Sequence, residues 1–153
     1  MITERQTPLI ALLGGLRDAI GAELHSRLRE IGFAEIRPAH GCVFGNIDHQ
    51  GSRLTELADR SGITKQSVGE AVADLERLGF VERVPDPGDG RAKIIRLTSH
   101  GAEAMAAAQE IFGDIERRLS EELGHDNFHA FRETLVRVHE LMQPTIEAER
   151  RAA

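Results

Sequence analysis

The stretch that decides the fold runs from Leu54 to Thr98 and reads LTELADRSGITKQSVGEAVADLERLGFVERVPDPGDGRAKIIRLT. It predicts two short helices a few residues apart, followed by two strands that the turn 85–91 joins. This order is that of a helix-turn-helix followed by a β-wing. Such an architecture typically holds one helix in the major groove of DNA.

The ends of the two short helices are marked by polar caps and by a glycine. We expect Thr55 to cap the first helix, Gly62 to end it and Thr64 to cap the second. The apolar side chains of the two helices should then pack together, with Leu57, Ala58 and Ile63 against Val68, Val72 and Leu75.

Composition predicts a single helix-rich domain that covers residues 1–153. The chain is 41% hydrophobic and only 4% aromatic, and it contains one cysteine. One cysteine cannot form an internal disulfide, which favours a reducing, cytoplasmic setting. The polar N-terminus does not read as a signal peptide, and no apolar run approaches the length of a membrane span.

The charge distribution is unusual for a protein that binds nucleic acid. The net charge is −6, and residues 53–100 carry eight basic and eight acidic side chains. Because phosphate contacts supply much of the affinity for DNA, only the arrangement of these charges can make the contact surface basic. The alternative is a winged-helix protein-interaction module with little or no DNA binding.

Helices are expected on both sides of this module. Apolar residues recur at steps of three and four in residues 5–31, and again in two helices over residues 99–123 and about 126–148. Pro38 is placed to open a short helix through Val43, Phe44 and Ile47, and residues 52–54 could add a brief strand to the wing. The predicted fold class is mainly α with a small antiparallel β-wing, with residues 36–98 as the DNA-binding part. Helices over 5–31 and 99–150 form the dimerisation part.

Four motifs, in this order along the chain, resemble the MarR family of winged-helix regulators. They are LTELA at 54–58, LERLGFVER at 75–83, and DPGDGRAK at 86–93 followed by LTSHG at 97–101. The resemblance implies a homodimer with interlocked terminal helices, and DNA binding that a small ligand or cysteine oxidation relieves. Family members often carry Thr or Arg where this chain has Gly69 and Glu70, so no operator sequence is carried over.

The second helix, Lys65 to Gly79, is the predicted recognition helix. Residues near its N-terminus should reach base edges, so Gln66, Ser67, Gly69 and Glu70 are the candidates. Gln66 can bond adenine N6 and N7, and Glu70 can accept from cytosine N4. Lys65, the Ser67 hydroxyl and the N-terminus of the helix suit phosphate. Thr64, the predicted cap, and Arg77, on the face opposite the core, complete the predicted DNA-binding set of this helix.

In the wing, Gly88 and Gly90 are expected to allow a tight turn that presents Arg91 to the minor groove. Asp89, two residues away, could hold the Arg91 side chain in place. Lys93 is the second candidate for DNA contact in the wing. The alternative is a hairpin whose charges only keep the tip soluble.

Other chemistry is weakly supported by the sequence. Cys42 is expected to be a buried structural residue rather than a redox sensor. His125 and His129 are spaced for zinc on one helix face, but nothing in the sequence completes a metal site. No motif of an enzyme or a cofactor site is present.

We therefore expect a dimeric, sequence-specific DNA-binding transcriptional regulator, which would be a repressor relieved by a small ligand. The resemblance places the family's usual pocket for aromatic acids where the first helix, the short helix and the helix from Ser99 should meet. His40 and Phe44 are the lining candidates, because an imidazole can pair with a carboxylate and a ring can stack on an aryl group. Alternatively, both side chains fill the core beneath the first helix.

Overall fold

The structure, a computed structural model, describes the backbone of residues 7–152 and the side chains of residues 7–143. Six helices and one hairpin follow in order: α1 Leu9–Glu30, α2 Gly41–Phe44, α3 Leu54–Ser61, α4 Lys65–Arg77, β1 Val81–Asp86, β2 Asp89–Leu97, α5 Ser99–Leu123 and α6 His125–Ala152. A 3₁₀ turn, Pro38–His40, precedes α2. The predicted fold class is confirmed. Arg5, the predicted start of the first helix, lies outside the described residues.

The fold divides into two compact units, Met1–Ile111 and Phe112–Ala153, with the boundary inside α5. The first unit contains the helix-turn-helix and the wing. Its core is apolar and is formed by Leu28, Ile36, Val43, Leu57, Val68, Ala71, Val72, Leu75, Phe80, Val81, Ile95 and Ala104. Burial of these side chains provides the main driving force for folding this unit.

The helix-turn-helix is formed by α3 and α4. Gly62 ends α3 in a left-handed conformation, with φ 68°, and its N–H donates to the Ala58 carbonyl at 3.0 Å. The predicted contact of the two helices is confirmed at Leu57 of α3. This side chain is fully buried, as are its predicted partners on α4, Val68, Val72 and Leu75. It is wrong at Ile63, which is 44% exposed and lies outside the core.

The predicted cap of α3 is also wrong. The helix begins at Leu54, so Arg53 rather than Thr55 occupies the N-cap position. Glu56 reaches back and accepts a hydrogen bond from the Arg53 N–H at 2.8 Å. This carboxylate satisfies the end of the helix and lies in its first turn, where negative charge is favourable.

The wing is an antiparallel pair in which Val81 lies opposite Leu97. The strand expected over residues 52–54 reduces to one bridge, in which Ser52 and Ile95 exchange two hydrogen bonds of 2.8 Å. The chain enters α3 at Leu54, which leaves only the N-cap residue Arg53 between the bridge and the helix. The bridge attaches the wing to the segment before α3.

The start of α5 is held against the turn that precedes β1. Thr98 caps the helix by accepting from the Gly101 N–H at 3.1 Å, and its hydroxyl donates to the Gly79 carbonyl at 2.6 Å. A Cβ on Gly101 would lie 1.9 Å from the Phe80 carbonyl oxygen, so only glycine fits there. The predicted bounds of this helix, 99–123, are confirmed.

The segment between α1 and α3 contains less helix than expected. Pro38 opens a single 3₁₀ turn, and α2 ends at Phe44, so Ile47 lies outside it. The Phe44 ring packs edge-on against Phe80, with 6.2 Å between centroids. Both elements contact α4, which places them behind the recognition helix.

Large apolar side chains remain exposed on the outer helices. On α1 these are Leu9, Ile10, Leu12 and Leu16, and on α6 they are Phe131, Val136, Leu141 and Met142. Such faces are typical of surfaces that another chain covers. The predicted dimerisation by the terminal helices stays a prediction.

Candidate nucleic-acid interface

The N-terminus of α4 presents a capped, exposed end. Thr64 Oγ1 accepts from the Ser67 N–H at 3.2 Å and donates to Ser67 Oγ at 2.9 Å. The Ser67 hydroxyl therefore keeps its own proton for an outside acceptor. Lys65 is exposed beside it. Free backbone N–H groups, a hydroxyl and an ammonium group together suit a phosphate.

The exposed face of α4 carries Gln66 and Glu70 one turn apart. The Gln66 amide donates to Glu70 Oε1 at 3.3 Å, so the two side chains are pre-aligned on one face. Gly69 does not belong to this face. A Cβ there would lie 3.8 Å from Leu54 Cδ2, so the residue lies on the side of α4 that approaches α3. Its assignment as a base-reading residue stays a prediction.

Further along α4, the Asp74 carboxylate collects three donors. Arg77 donates to it at 2.6 Å, His40 Nε2 lies at 2.8 Å, and the Arg37 guanidinium forms an ion pair with it. These donors, led by Arg77, hold the pKa of Asp74 well below its ordinary value. Arg77 is thus engaged within the protein, unlike the free phosphate-facing cation that its position suggested.

His40 and Phe44 have structural roles. His40 is only 1% exposed; its Nδ1 accepts from the Arg37 N–H at 3.1 Å, so the ring proton lies on Nε2 and is donated to Asp74. No ring nitrogen remains for a ligand carboxylate, which corrects the proposed role of His40. Phe44 packs on Phe80 instead. His40 is therefore part of the core, whereas Phe44 is only partly buried, and its role in a pocket stays a prediction.

The tip of the wing carries a bulge. Pro85 pairs with Lys93, but the next residue, Asp86, pairs with Asp89, so Gly90, Arg91 and Ala92 are left without partners in β1. Arg91 lies in this bulge and is exposed. Asp89 accepts from the Arg91 backbone N–H at 3.1 Å, which corrects the expectation that it holds the Arg91 side chain.

The turn itself does not use glycine as predicted. Neither Gly88 nor Gly90 has a positive φ. Asp86 forms the turn by accepting from the Gly88 N–H at 2.8 Å, and this contact is the first cause of the lowered pKa of Asp86. The second cause is Arg53, which contacts the same carboxylate at 2.5 and 2.7 Å. This ion pair ties the wing to the start of α3.

Few cations of the module are left for a partner. Five arginines of the stretch 53–96 pair with carboxylates of the protein, namely Arg53, Arg60, Arg77, Arg83 and Arg96. Within the described residues, Lys65, Arg91 and Lys93 make no such pair. These three lie at the start of α4 and at the wing, the two places that meet DNA in winged-helix proteins.

Cys42 does not form a reactive thiol site, and the pair His125 and His129 does not form a metal site. Cys42 is partly buried rather than fully buried, and burial raises the pKa of its thiol, which disfavours the reactive thiolate. His125 Nδ1 lies 2.7 Å from Ser120 Oγ, and His129 lies 3.4 Å from Glu133. Among residues 7–143, whose side chains the structure describes, no three metal-ligating side chains come together.

Comparison with known proteins agrees with this geometry. Residues 35–92 match the model of the MarR family. A crystal structure of MarR matches with a TM-score of 0.81 at 23% identity, covering 97% of this chain and 99% of that one. Residues 35–92 thus resemble the MarR family in sequence, and the chain shares the fold of MarR.

Two further similar proteins are informative. The transcriptional regulator HosA of Escherichia coli O111:H- is 29% identical over 80 residues, which are 52% of this chain and 59% of HosA. The transcriptional repressor CouR, solved bound to a 23-mer DNA duplex, is 26% identical with a TM-score of 0.69. That match covers 86% of this chain and 92% of CouR.

One match is to an enzyme. A 78-residue segment is 32% identical to a chorismate synthase of Chlorobium luteolum, but it spans only 19% of that protein. So short a segment transfers no activity to this chain.

In the part of the chain that the structure describes, every helix is too short or too polar to span a bilayer.

Proposed function

We propose that this protein is a homodimeric, sequence-specific DNA-binding transcriptional regulator. The observation that carries the proposal is the location of its unpaired cations. Lys65 begins the recognition helix, while Arg91 and Lys93 lie on the wing, so one protomer offers positive charge to a major groove and to the adjacent minor groove. CouR, a similar protein, was solved on a DNA duplex.

In this proposal, Gln66 and Glu70 read bases and Thr64, Lys65 and Ser67 hold the phosphate backbone. The acidic net charge restricts phosphate contact to the few unpaired cations, which favours specific over non-specific binding. We further propose that the protein acts as a repressor in the cytoplasm, the compartment in which it would meet its DNA.

Selection of bound fragments from genomic DNA, followed by a salt series on the selected site, tests the proposal. Three unpaired cations in each protomer of a dimer predict a slope of log affinity against log salt of about −5. Arg91→Ala should reduce the magnitude of this slope by about one unit per protomer. Arg117→Ala, which removes an arginine paired on α5, is the control and should leave the slope unchanged.

The competing function is a winged-helix module that binds another protein. Glu70 and the net charge of −6 favour it, because an acidic helix face repels phosphate. The same salt series decides between the two. Absence of any selected DNA site, or an affinity that does not change with salt, would reject DNA binding and favour a protein partner.

A further inference from the structure

Glu70 is an acidic side chain on the exposed face of the recognition helix. It makes no ion pair within the part of the chain that the structure describes. A carboxylate at this place repels the phosphates that Lys65 attracts, so it opposes attachment to DNA of any sequence. Among the described residues its side-chain partner is the amide of Gln66, whose Nε2 lies 3.3 Å from Glu70 Oε1. The role of Glu70 at the interface therefore depends on its effect on Gln66.

The carboxylate determines which way the Gln66 amide points. An ionised carboxylate only accepts hydrogen bonds, so the amide turns its nitrogen towards Glu70 and its oxygen away. One N–H of the amide is donated to Glu70, while the second N–H and the oxygen remain for an outside partner. Because Gln66 is exposed, this donor and this acceptor lie side by side at the surface of the helix.

A donor beside an acceptor is complementary to one base edge in the major groove. Adenine presents N7 as an acceptor and its N6 amino group as a donor, and a glutamine amide can bond both at once. Guanine presents two acceptors, N7 and O6, at the same places. An amide that turns freely can direct its nitrogen to either guanine acceptor. An amide held by Glu70 directs its oxygen at guanine O6, and the two acceptors repel each other.

A neighbouring cation is kept from Glu70 by a different carboxylate. The Arg37 side chain borders the same groove as Ser67 and Glu70. Its guanidinium is paired with Asp74, which lies about one helical turn after Glu70 on α4. The pair with Asp74 leaves the Glu70 carboxylate to Gln66. Each of these two acidic residues of α4 thus has its own partner.

We propose that Glu70 is a positioning residue for base reading. It holds the Gln66 amide in the orientation that selects adenine and rejects guanine at one position of the DNA site. The second oxygen of Glu70 stays available for a base of its own. This inference deepens the proposed DNA-binding function and rests on it, whereas the orientation of the Gln66 amide is a property of the protein without DNA. The two parts are therefore measured separately.

The orientation is tested without DNA, by NMR of the side-chain amide of Gln66 in the isotope-labelled full chain as the pH is lowered from 7 to 4. Protonation of Glu70 weakens its acceptor oxygen, so one of the two Gln66 amide protons should shift with pH. Glu70→Asp, whose shorter side chain does not reach the amide, should lose this shift. Gln109, an exposed glutamine of α5, is the internal control. A Gln66 signal that moves no more than that of Gln109, or equally in Glu70→Asp, would overturn the orientation.

Base selection is tested by competition binding with single-base variants of a selected DNA site. At the position where Gln66→Ala abolishes the preference, the wild type should prefer adenine over guanine by several-fold. Glu70→Asp keeps the charge but not the reach, so it should lose most of this preference. Its combination with Gln66→Ala should cause no further loss at that position, because the two residues act as one unit. Glu110→Asp, the same substitution at an exposed residue of α5, should leave every base preference unchanged.

Three outcomes of the binding experiment would overturn the positioning role. They are an unchanged adenine preference in Glu70→Asp, a loss of preference only at another position, and a wild-type preference for guanine at the position that Gln66 reads. In the second case Glu70 would read a base by itself. A protein that binds no DNA site would refute the proposed function, and the NMR titration would then still decide whether Glu70 orients Gln66.

Discussion

Asp74 lies on the recognition helix, yet its carboxylate faces the protein. It accepts from Arg77 on its own helix and from Arg37 and His40 of the segment before α2. His40 is buried, so its contact with the partly exposed Asp74 fixes α4 against the 3₁₀ turn. A carboxylate that would repel DNA phosphate serves instead to position the helix.

The lowered pKa of Asp74 predicts a dependence of stability on acid. The folded-state pKa lies below the ordinary value of 3.8, so the folded protein binds fewer protons than the unfolded chain. This contribution to the free energy of unfolding is complete above about pH 4 and is lost as the pH falls below it. Urea unfolding from pH 7 to pH 3 should therefore show a steeper acid loss in the wild type than in Asp74→Asn.

Asp59→Asn, at an exposed position of α3, is the control for this measurement and should follow the wild-type curve. Parallel curves for the wild type and Asp74→Asn would show that the three donors contribute nothing to stability. Because Arg37 and Arg77 are largely exposed, high salt should reduce the difference between the variants.

Gln66 offers a direct test of base recognition. Its amide is exposed and aligned with Glu70, so Gln66→Ala should weaken binding to the selected site by roughly 1–3 kcal/mol and relax base preference at one position. Competition binding with single-base variants of the site measures both effects. The control, Gln109→Ala, changes an exposed glutamine of α5 and should alter neither affinity nor base preference. An unchanged base preference in Gln66→Ala would show that Gln66 does not read a base.

At the scale of the elements, an ion pair and a bridge join the wing to the segment that leads into α3, and the pair Arg83–Glu76 joins it to α4. Arg53 precedes α3 and binds Asp86 at the end of β1, while Ser52 bridges to Ile95. The position of Arg91 relative to α4 depends on these contacts. A hairpin with fewer attachments would sample more orientations in the free protein. It would then lose more conformational entropy when it docks on DNA, which weakens binding.

We therefore predict that Arg53→Gln weakens DNA binding by several-fold without unfolding the protein. The backbone N–H of Arg53, which Glu56 accepts, is retained in this variant, so α3 should stay intact by circular dichroism. Arg53→Lys keeps the charge and should recover part of the affinity. If Arg53→Gln binds DNA as tightly as the wild type, the ion pair does not orient the wing.

The elements themselves were predictable because their signals are local. Thr64 caps α4 and Thr98 caps α5, and each acts within three residues of the helix that it begins. The pairs Arg53–Asp86 and His40–Asp74 join residues more than thirty positions apart, and no spacing rule marks them. Their effect on the interface is large, because they decide which charged side chains remain free.

Local rules also failed where two of them competed. Thr55 is a good N-cap type, but Glu56 placed at the third helical position favours a start two residues earlier. In the wing, glycines suggested a strained turn, whereas the Asp86 side chain forms it without positive φ. In both cases a carboxylate that bonds backbone N–H groups determined the geometry.

For the whole molecule, the exposed apolar residues of α6 predict the dimer. Leu141 is 77% exposed, so Leu141→Glu should not disturb the fold of one chain but should place a charge in an interface. Light scattering after size exclusion should detect monomers, and DNA affinity should fall because two linked half-sites are no longer bound together. Glu140→Gln, the neighbouring substitution, should remain dimeric; a dimeric Leu141→Glu protein would place the interface elsewhere.

The paired arginines of the winged-helix module have a consequence for how such a chain evolves. Loss of one acidic partner, such as Glu82, releases the guanidinium of Arg96 without adding any basic residue. A single mutation can thus raise the attraction to every DNA sequence alike. Descendants with identical lysines and arginines are expected to differ in how long they dwell on random chromosome sites, and a count of basic residues would not reveal it.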